Sequence, residues 1–126
     1  MECLTGEELR TIYPELFKKV FGFDSAGQIP RTVIVTDDLE GFVSGYLVNT
    51  ETFYLAWGGH TKGFTAARRC FQDGEKELKE AGVKWFQTAV ENKNTIWQRV
   101  LMKMGWFPYG MKVTGGKIYI EYYKEL

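Results

Sequence analysis

The chain has 126 residues, 44% of them hydrophobic, and its 16 basic and 16 acidic side chains leave a formal net charge of zero. This length suits one domain with a substantial hydrophobic core and is too short for two. A neutral chain also disfavours a protein whose main function is to bind nucleic-acid phosphates, because that function requires a strongly basic face.

The sequence has only weak features of a membrane, secreted or metal-binding protein. No apolar run approaches the roughly 18 residues of a membrane-spanning helix, and Met1-Glu2-Cys3-Leu4 lacks the basic and apolar regions of a signal peptide. Two cysteines and a single histidine are too few for a structural zinc site. We therefore expect a cytoplasmic protein with no membrane contact and no metal.

The first 22 residues have a helical pattern. Thr5 and Glu8 form a capping box, Pro14 interrupts the pattern, and Gly22 ends it. We expect a kink or two short helices, with Pro14 in the first turn of the second. Because the chain begins with this helix, we expect no strand before it. The apolar face is Leu9, Ile12, Tyr13, Leu16, Phe17, Val20 and Phe21.

The middle of the chain predicts three strands, a helix and a further strand. After a turn over residues 23–30, strands are predicted at 32–36, 42–48 and 52–57 as an antiparallel meander. A helix of about 17 residues then runs from Phe64 to a stop at Gly82, followed by a strand at 83–90. The strands that flank this helix should be parallel neighbours joined by a right-handed crossover.

The C-terminal third predicts a capped helix and a hairpin. Asn94 caps a helix that ends at Gly105, and strands at 107–113 and 117–123 flank a tight Gly-Gly turn. Residues 1–126 thus form a single α+β domain around a mostly antiparallel sheet with one parallel βαβ unit. The predicted order is α-(α)-β-β-β-α-β-α-β-β.

The segment between the third strand and the long helix carries the strongest chemical signal. It reads Gly58-Gly59-His60-Thr61-Lys62-Gly63-Phe64-Thr65, with Arg68 and Arg69 after it and no acidic residue from 60 to 69. Glycines allow a close backbone approach, and N–H groups at a helix N-terminus favour phosphate. The segment is therefore a candidate anion cradle, and the alternative is an ordinary glycine turn followed by a solvated basic face.

The element order, the His60 to Thr65 segment, and Asn94 followed after ten residues by Gly105-Trp106 resemble the GNAT superfamily of acetyl-CoA-dependent N-acetyltransferases. The resemblance implies that fold and acetyl-CoA or CoA as cofactor. Backbone N–H groups of the cradle would bind the pyrophosphate, and main-chain groups of the third strand would bind the pantetheine arm where the parallel strands separate. Asn94 would contact the pantetheine or help to set that separation. The implied cofactor-binding residues are Leu55, Ala56, Trp57, Lys62, Gly63, Phe64, Thr65 and Asn94.

Four positions depart from the family pattern. His60 stands where Arg or Gln is usual, and Thr65 where Gly or Ala is usual. Leu101, seven residues after Asn94, occupies the position of a Tyr that in many members protonates the leaving thiolate. Trp97 replaces a small residue and would narrow the space beside the cofactor.

Two residues are candidates for the catalytic base. Glu51 lies roughly where some family members keep a base, acting directly or through water, and its alternative role is that of a solvated turn carboxylate. His60 is chemically suited to base work but is expected to face the diphosphate or solvent. Cys70 lies on the apolar stripe of its helix and is expected to be a buried thiol. Tyr109, Tyr119, Tyr122 and Tyr123 are expected to serve packing, with an aromatic acceptor pocket as the alternative.

The resemblance thus implies acetyl transfer from acetyl-CoA to an unidentified amine of a small molecule or peptide, by direct attack in a ternary complex. We expect no nucleic-acid partner, and the terminal strand provides an edge for a homodimer. The alternative is a non-catalytic GNAT-like interaction or structural protein, of a kind encoded by phages, with weak or no CoA binding.

Overall fold

The fold was analysed in a computed structural model that describes residues 2–22 and 32–126. One seven-stranded sheet runs through the molecule in the order β1-β2-β3-β4-β5-β7-β6. The elements are β1 (Glu2–Leu4), α1 (Gly6–Ile12), α2 (Leu16–Phe21), β2 (Thr32–Val35), β3 (Gly41–Leu47), β4 (Thr52–His60), α3 (Phe64–Glu80), β5 (Trp85–Glu91), α4 (Thr95–Lys103), β6 (Phe107–Thr114) and β7 (Lys117–Glu125).

The sheet is antiparallel except for the pair β4 and β5, which confirms the predicted βαβ unit around α3. The mixed α/β fold, with its helices and mostly antiparallel sheet, agrees with the predicted class. Among the described helices, none combines the length and the apolar character that a membrane crossing requires.

The N-terminal prediction was wrong in one respect, because a strand precedes the first helix. β1 pairs antiparallel with β2, with Cys3 opposite Ile34. A segment of three residues is too short to show a period-two pattern, so no sequence pattern indicated this strand. It becomes a strand only because β2 offers an open edge.

The helices at the N-terminus follow local capping rules. The Thr5 side chain accepts a hydrogen bond from the Glu8 N–H at 3.1 Å, as the capping box predicts. Two short helices form, but Pro14 lies in the turn between them and precedes the α2 N-cap, Glu15, so its predicted place in the first turn was wrong. Gly22 ends α2 in the left-handed conformation. The predicted turn at 23–30 lies outside the described residues.

Two hydrophobic cores fill the two faces of the sheet. α1 and α2 cover β1, β2 and β3 around Leu9, Phe17 and Phe42. On the opposite face α3 and α4 pack on the centre of the sheet around Phe71, Phe86 and Leu101. Packing in this second core therefore sets the position of α3 against the parallel strands β4 and β5.

Gly45 on β3 provides a test of how closely the strands pack. A Cβ at this position would overlap the Tyr54 carbonyl oxygen of the neighbouring strand. We expect Gly45→Ala to lower the free energy of unfolding by about 2 kcal/mol, because backbone cannot move aside as a side chain can. Urea unfolding followed by circular dichroism measures this.

Gly110→Ala is the matched control on β6, since a Cβ there would lie 3.7 Å from its nearest neighbour, a Glu121 carboxylate oxygen. We expect that variant to stay within about 0.5 kcal/mol of the parent. Equal stability of the two variants would contradict the tight β3–β4 contact.

Candidate active site

β4 and β5 pair along only part of their length. The parallel ladder comprises three residue pairs, from Thr52 with Trp85 to Tyr54 with Gln87, although β4 continues for six further residues. Just past the last pair, the buried Thr88 hydroxyl donates to the Leu55 carbonyl at 3.0 Å. A side chain thus satisfies a main-chain acceptor where the backbone ladder ends, and the two strands separate beyond it.

A β-bulge in β4 lies at the same level. Leu55 is opposite Gly45 and Trp57 is opposite Ser44, so Ala56 is one extra residue on β4. A bulge bends its strand and redirects the backbone locally. The bulge was not predicted, although Gly45 beside it is a glycine inside a strand, which often marks a bulge.

A cavity of about 550 Å³ opens where β4 and β5 separate. Its walls come from β4, β5, the first turns of α3 and the start of α4, and its volume is within the range of small-molecule sites. Five of the predicted cofactor-binding residues line it together: Leu55, Ala56, Gly63, Phe64 and Asn94. Lys62 and Thr65 are not among the described lining residues.

The N-terminus of α3 lies at the rim of this cavity. Gly63 is the N-cap with φ +93°, a conformation that favours glycine, and no side chain caps the helix. The Lys62 N–H donates to the His60 ring and the Gly63 N–H to the His60 carbonyl, so both are used within the turn. The N–H groups of Phe64 and Thr65 have no intrahelical acceptor by helix geometry and carry the positive end of the helix dipole.

His60 anchors the turn and lines the cavity, and its side chain does not face open solvent. Its side chain is 4% exposed, and its Nε2 lies 2.9 Å from the Asp38 carboxylate. Its Nδ1 accepts the Lys62 N–H at 3.1 Å. Both ring nitrogens are therefore engaged, and the geometry leaves no nitrogen for base catalysis in this arrangement.

Asp38 is in turn fixed by its own loop. It accepts hydrogen bonds from the Thr36 hydroxyl at 2.6 Å and from the Glu40 N–H at 3.0 Å. These bonds, followed by the smaller contribution of His60, hold the pKa of Asp38 well below its usual range. The β2–β3 turn is thus joined to the turn that precedes α3.

The predicted glycine loop is shorter than expected. Gly58 and Gly59 belong to β4, opposite Val43 and Phe42, and only residues 61–63 connect β4 to α3. A Cβ at Gly58 would lie 2.5 Å from the Phe71 ring. Gly58 is therefore required for helix packing. The prediction that it lies in a loop was wrong, but Gly58 and Gly59 both line the cavity.

The expected basic charge at the cradle is also reduced by the fold. The Lys62 ammonium lies 3.8 Å from the Asp38 carboxylate. Lys62 and Arg69 line a separate depression that also contains Asp38 and Asp73. Carboxylates that are distant in sequence thus lie beside these basic residues. Anion binding at the cavity therefore depends mainly on the N-terminus of α3.

Glu51 lies away from the cavity. Its side chain is half exposed and forms a salt bridge with Lys84 at 3.1 Å. It precedes Ala56 by five residues, which is about 16 Å along an extended strand. The structure therefore does not bring Glu51 together with the cavity residues, and its catalytic role stays a prediction.

The remaining candidates have structural positions. Leu101 is 1% exposed in the second core, and Trp97 lines the cavity between Phe64 and Phe71. Cys70 is buried, as predicted, and this burial raises the pKa of its thiol to about 12.

Thr88→Val tests the end of the parallel ladder. Removal of the hydroxyl leaves the buried Leu55 carbonyl without this donor, so we expect the free energy of unfolding to fall by about 1–3 kcal/mol. Thr88→Ser keeps the hydroxyl and should lose less. Urea unfolding of the two variants measures the difference, and a valine variant as stable as the serine variant would contradict the role of this bond.

Asp38→Asn tests the anchor of the α3 turn. A carboxylate whose pKa is lowered in the folded protein stabilises it above the unfolded pKa, near 4, and this stabilisation is lost as pH falls through the lower folded value. We expect a melting temperature a few degrees below the parent at pH 7, with the difference shrinking below pH of about 4. Thermal unfolding from pH 7 to 2.5 measures this, with Glu80→Gln on exposed α3 surface as control. A pH-independent difference would contradict the anchor.

Comparisons with known proteins agree with this architecture. No family model matches the chain, and no curated protein matches its sequence significantly. An acetyltransferase from Bacillus subtilis, solved in complex with CoA, is similar with TM-score 0.70 and 11% identity over 99% of this chain and 98% of its own. The ribosomal-protein-S18-alanine N-acetyltransferase from Escherichia coli has TM-score 0.70 and 12% identity over 98% of this chain and 91% of its own.

An IAA acetyltransferase from Bacillus cereus is equally similar, with TM-score 0.70 and 12% identity over 99% of this chain and 97% of its own. These similarities extend over nearly the whole of both chains in each case. At such low identity they establish the architecture and not the chemistry. The chain therefore has the fold of the GNAT acetyltransferases.

Proposed function

We propose that this protein is a diverged GNAT member, an acetyl-CoA-dependent N-acetyltransferase of the cytoplasm that acts on an amine of a small molecule or peptide. The observation that carries the proposal is the cavity at the separation of β4 and β5, with the uncapped N-terminus of α3 at its rim. Similar solved structures include one described with CoA and one with acetyl-CoA.

The described residues fit the two chemically distinct parts of CoA. An extended arm that carries amides can hydrogen-bond like an added strand, and β4 provides main-chain groups at Leu55, Ala56 and Trp57 beside the gap. A diphosphate suits the N–H groups of Phe64 and Thr65 at the helix N-terminus. Lys62 and Gly63 contribute by shaping the turn, since their own N–H groups are already donated.

Asn94 acts on the site through α4. Its side chain accepts the Trp97 N–H at 3.2 Å and so caps that helix at the edge of the cavity. The cap fixes Trp97, whose ring packs 5.1 Å from Phe71 and fills part of the cavity wall. We propose that this pair limits the width available to the cofactor arm.

Acetyl transfer requires little from the protein beyond binding and orienting acetyl-CoA and the amine. Acetyl-CoA would supply a thioester carbon. A protonated acceptor amine first loses one proton to solvent, and its nitrogen then bonds to that carbon while the carbon–sulfur bond breaks. The nitrogen loses a second proton and the thiolate takes one up, so one proton is released overall. A thiol has a pKa near 8.5, so the leaving thiolate can take a proton from solvent. Transfer is therefore compatible with the aliphatic Leu101, which is buried in the core.

Thr65→Asp tests the diphosphate site without weakening the helix. A carboxylate in the first turn is favourable for α3 but repels a diphosphate from the same N–H groups. We expect acetyl-CoA, titrated by calorimetry, to bind the parent at micromolar concentration and the variant at least tenfold more weakly, about 1.4 kcal/mol. Thr65→Asn is the uncharged control and should stay within about twofold.

Acetyl-pantetheine, which lacks the diphosphate, provides the complementary ligand and should not distinguish the two variants. Equal affinity of both variants for acetyl-CoA would overturn the assignment of the diphosphate to α3. No binding of acetyl-CoA to the parent at millimolar concentration would favour a non-catalytic protein, the alternative that the buried Leu101 supports.

A further inference from the structure

A row of aromatic side chains crosses the sheet on the face opposite α3. Register places Tyr46, Tyr54, Gln87, Tyr123 and Phe107 side by side on β3, β4, β5, β7 and β6. Four of the five are aromatic, and Tyr46 and Phe107 are 43% and 60% exposed. Large exposed aromatic surface of this kind usually marks a binding site.

An ammonium group already occupies this face. The Lys112 Nζ on β6 lies 5.6 Å from the centre of the Tyr54 ring on β4, a cation–π distance. In a flat sheet these strands, three intervals apart, would be about 14 Å from each other. The Lys112 and Tyr54 side chains therefore extend toward each other across β5 and β7, and the ammonium lies over the middle of this face.

A carboxylate lies beside the rings. Glu121 on β7 accepts a hydrogen bond from the Tyr109 hydroxyl at 3.2 Å, and the Tyr109 and Tyr123 rings meet edge to face at 5.6 Å. Burial, followed by the nearby Glu121 charge, raises the pKa of Tyr109, so its hydroxyl stays protonated as the donor. Tyr54, Tyr109, Tyr123 and Glu121, here called the tyrosine–glutamate cluster, thus combine aromatic faces with one negative charge.

The cluster adjoins the proposed reaction site. Tyr54 is the last residue of β4 that pairs with β5 before the strands separate. Glu121 pairs with Ala89, which lines the cavity. A group held by the cluster is therefore next to the gap, on the side of the sheet opposite α3.

We infer that the tyrosine–glutamate cluster binds the acceptor as an unbranched primary alkylammonium. In the free protein, the Lys112 ammonium occupies the place of this ligand. The inference rests on the proposed acetyltransferase function. Rings and carboxylate favour a cation over a neutral group of the same shape, and a straight chain matches the lysine side chain that already fits there. Such an ammonium belongs either to a small diamine or to a lysine side chain.

Ligand binding can be tested without acetyl transfer. The protein, labelled with ¹³C in its tyrosine rings, is titrated with 1,5-diaminopentane, with Nα-acetyl-lysine amide, and with 1-pentanol as the neutral analogue. We expect saturable shifts of Tyr54, Tyr109 and Tyr123 with an ammonium ligand and none with the alcohol. The tighter of the two amines identifies the source. Equal effects of alcohol and amines would overturn the inference.

Matched variants locate the binding. Glu121→Gln should weaken amine binding at least fivefold, whereas Glu125→Gln, on the same strand and face but exposed, should leave it unchanged. Lys112→Gln should strengthen binding, because the competing ammonium is removed. Unchanged affinity in both Glu121→Gln and Lys112→Gln, with circular dichroism spectra like the parent, would overturn the assignment.

Calorimetric titration of the same sample with acetyl-CoA separates this inference from the proposed function. Acetyl-CoA binding without amine binding would overturn the ammonium site alone. Amine binding without acetyl-CoA binding would overturn the proposed transfer, and with it the acceptor role of the cluster.

Discussion

The short parallel ladder between β4 and β5 is the constraint on which the rest of the site depends. Backbone pairing stops after Tyr54 and Gln87, and the Thr88 hydroxyl donates a hydrogen bond to the next carbonyl, that of Leu55. A buried carbonyl without a donor would be costly, so this side-chain bond allows the strands to separate without an unsatisfied group. The gap that results opens toward α3 and, past Ala89, toward the open face of the sheet.

The turn before α3 is held by contacts from another part of the chain. Asp38 and Glu40 in the β2–β3 turn bind His60 and Thr61, so the two turns form one hydrogen-bonded unit. This unit uses both nitrogens of His60 and the N–H of Lys62. It leaves the first N–H groups of α3, which carry the positive end of the helix dipole, at the rim of the cavity in a protein whose formal charge is zero.

The two sides of the gap differ in chemistry, which suits a reaction between two unlike molecules. The α3 side has a helix N-terminus and an apolar wall that includes Trp97, whereas the open side has phenol rings and Glu121. The first suits an anionic cofactor with an extended arm, and the second suits a cation. On the second side, the Lys112 ammonium lies over the Tyr54 ring.

The sequence by itself determined what depends on near neighbours. The Asn94 cap, the span of α3 and the tight turn at Gly115 were predictable, because capping, helical periodicity and turn chemistry act over a few residues. Only the tertiary structure decided the extension of β4 to His60, the bulge at Ala56 and the pairing of His60 with Asp38. Those features arise between strands distant in the chain, where register and packing against Phe71 outweigh local preference.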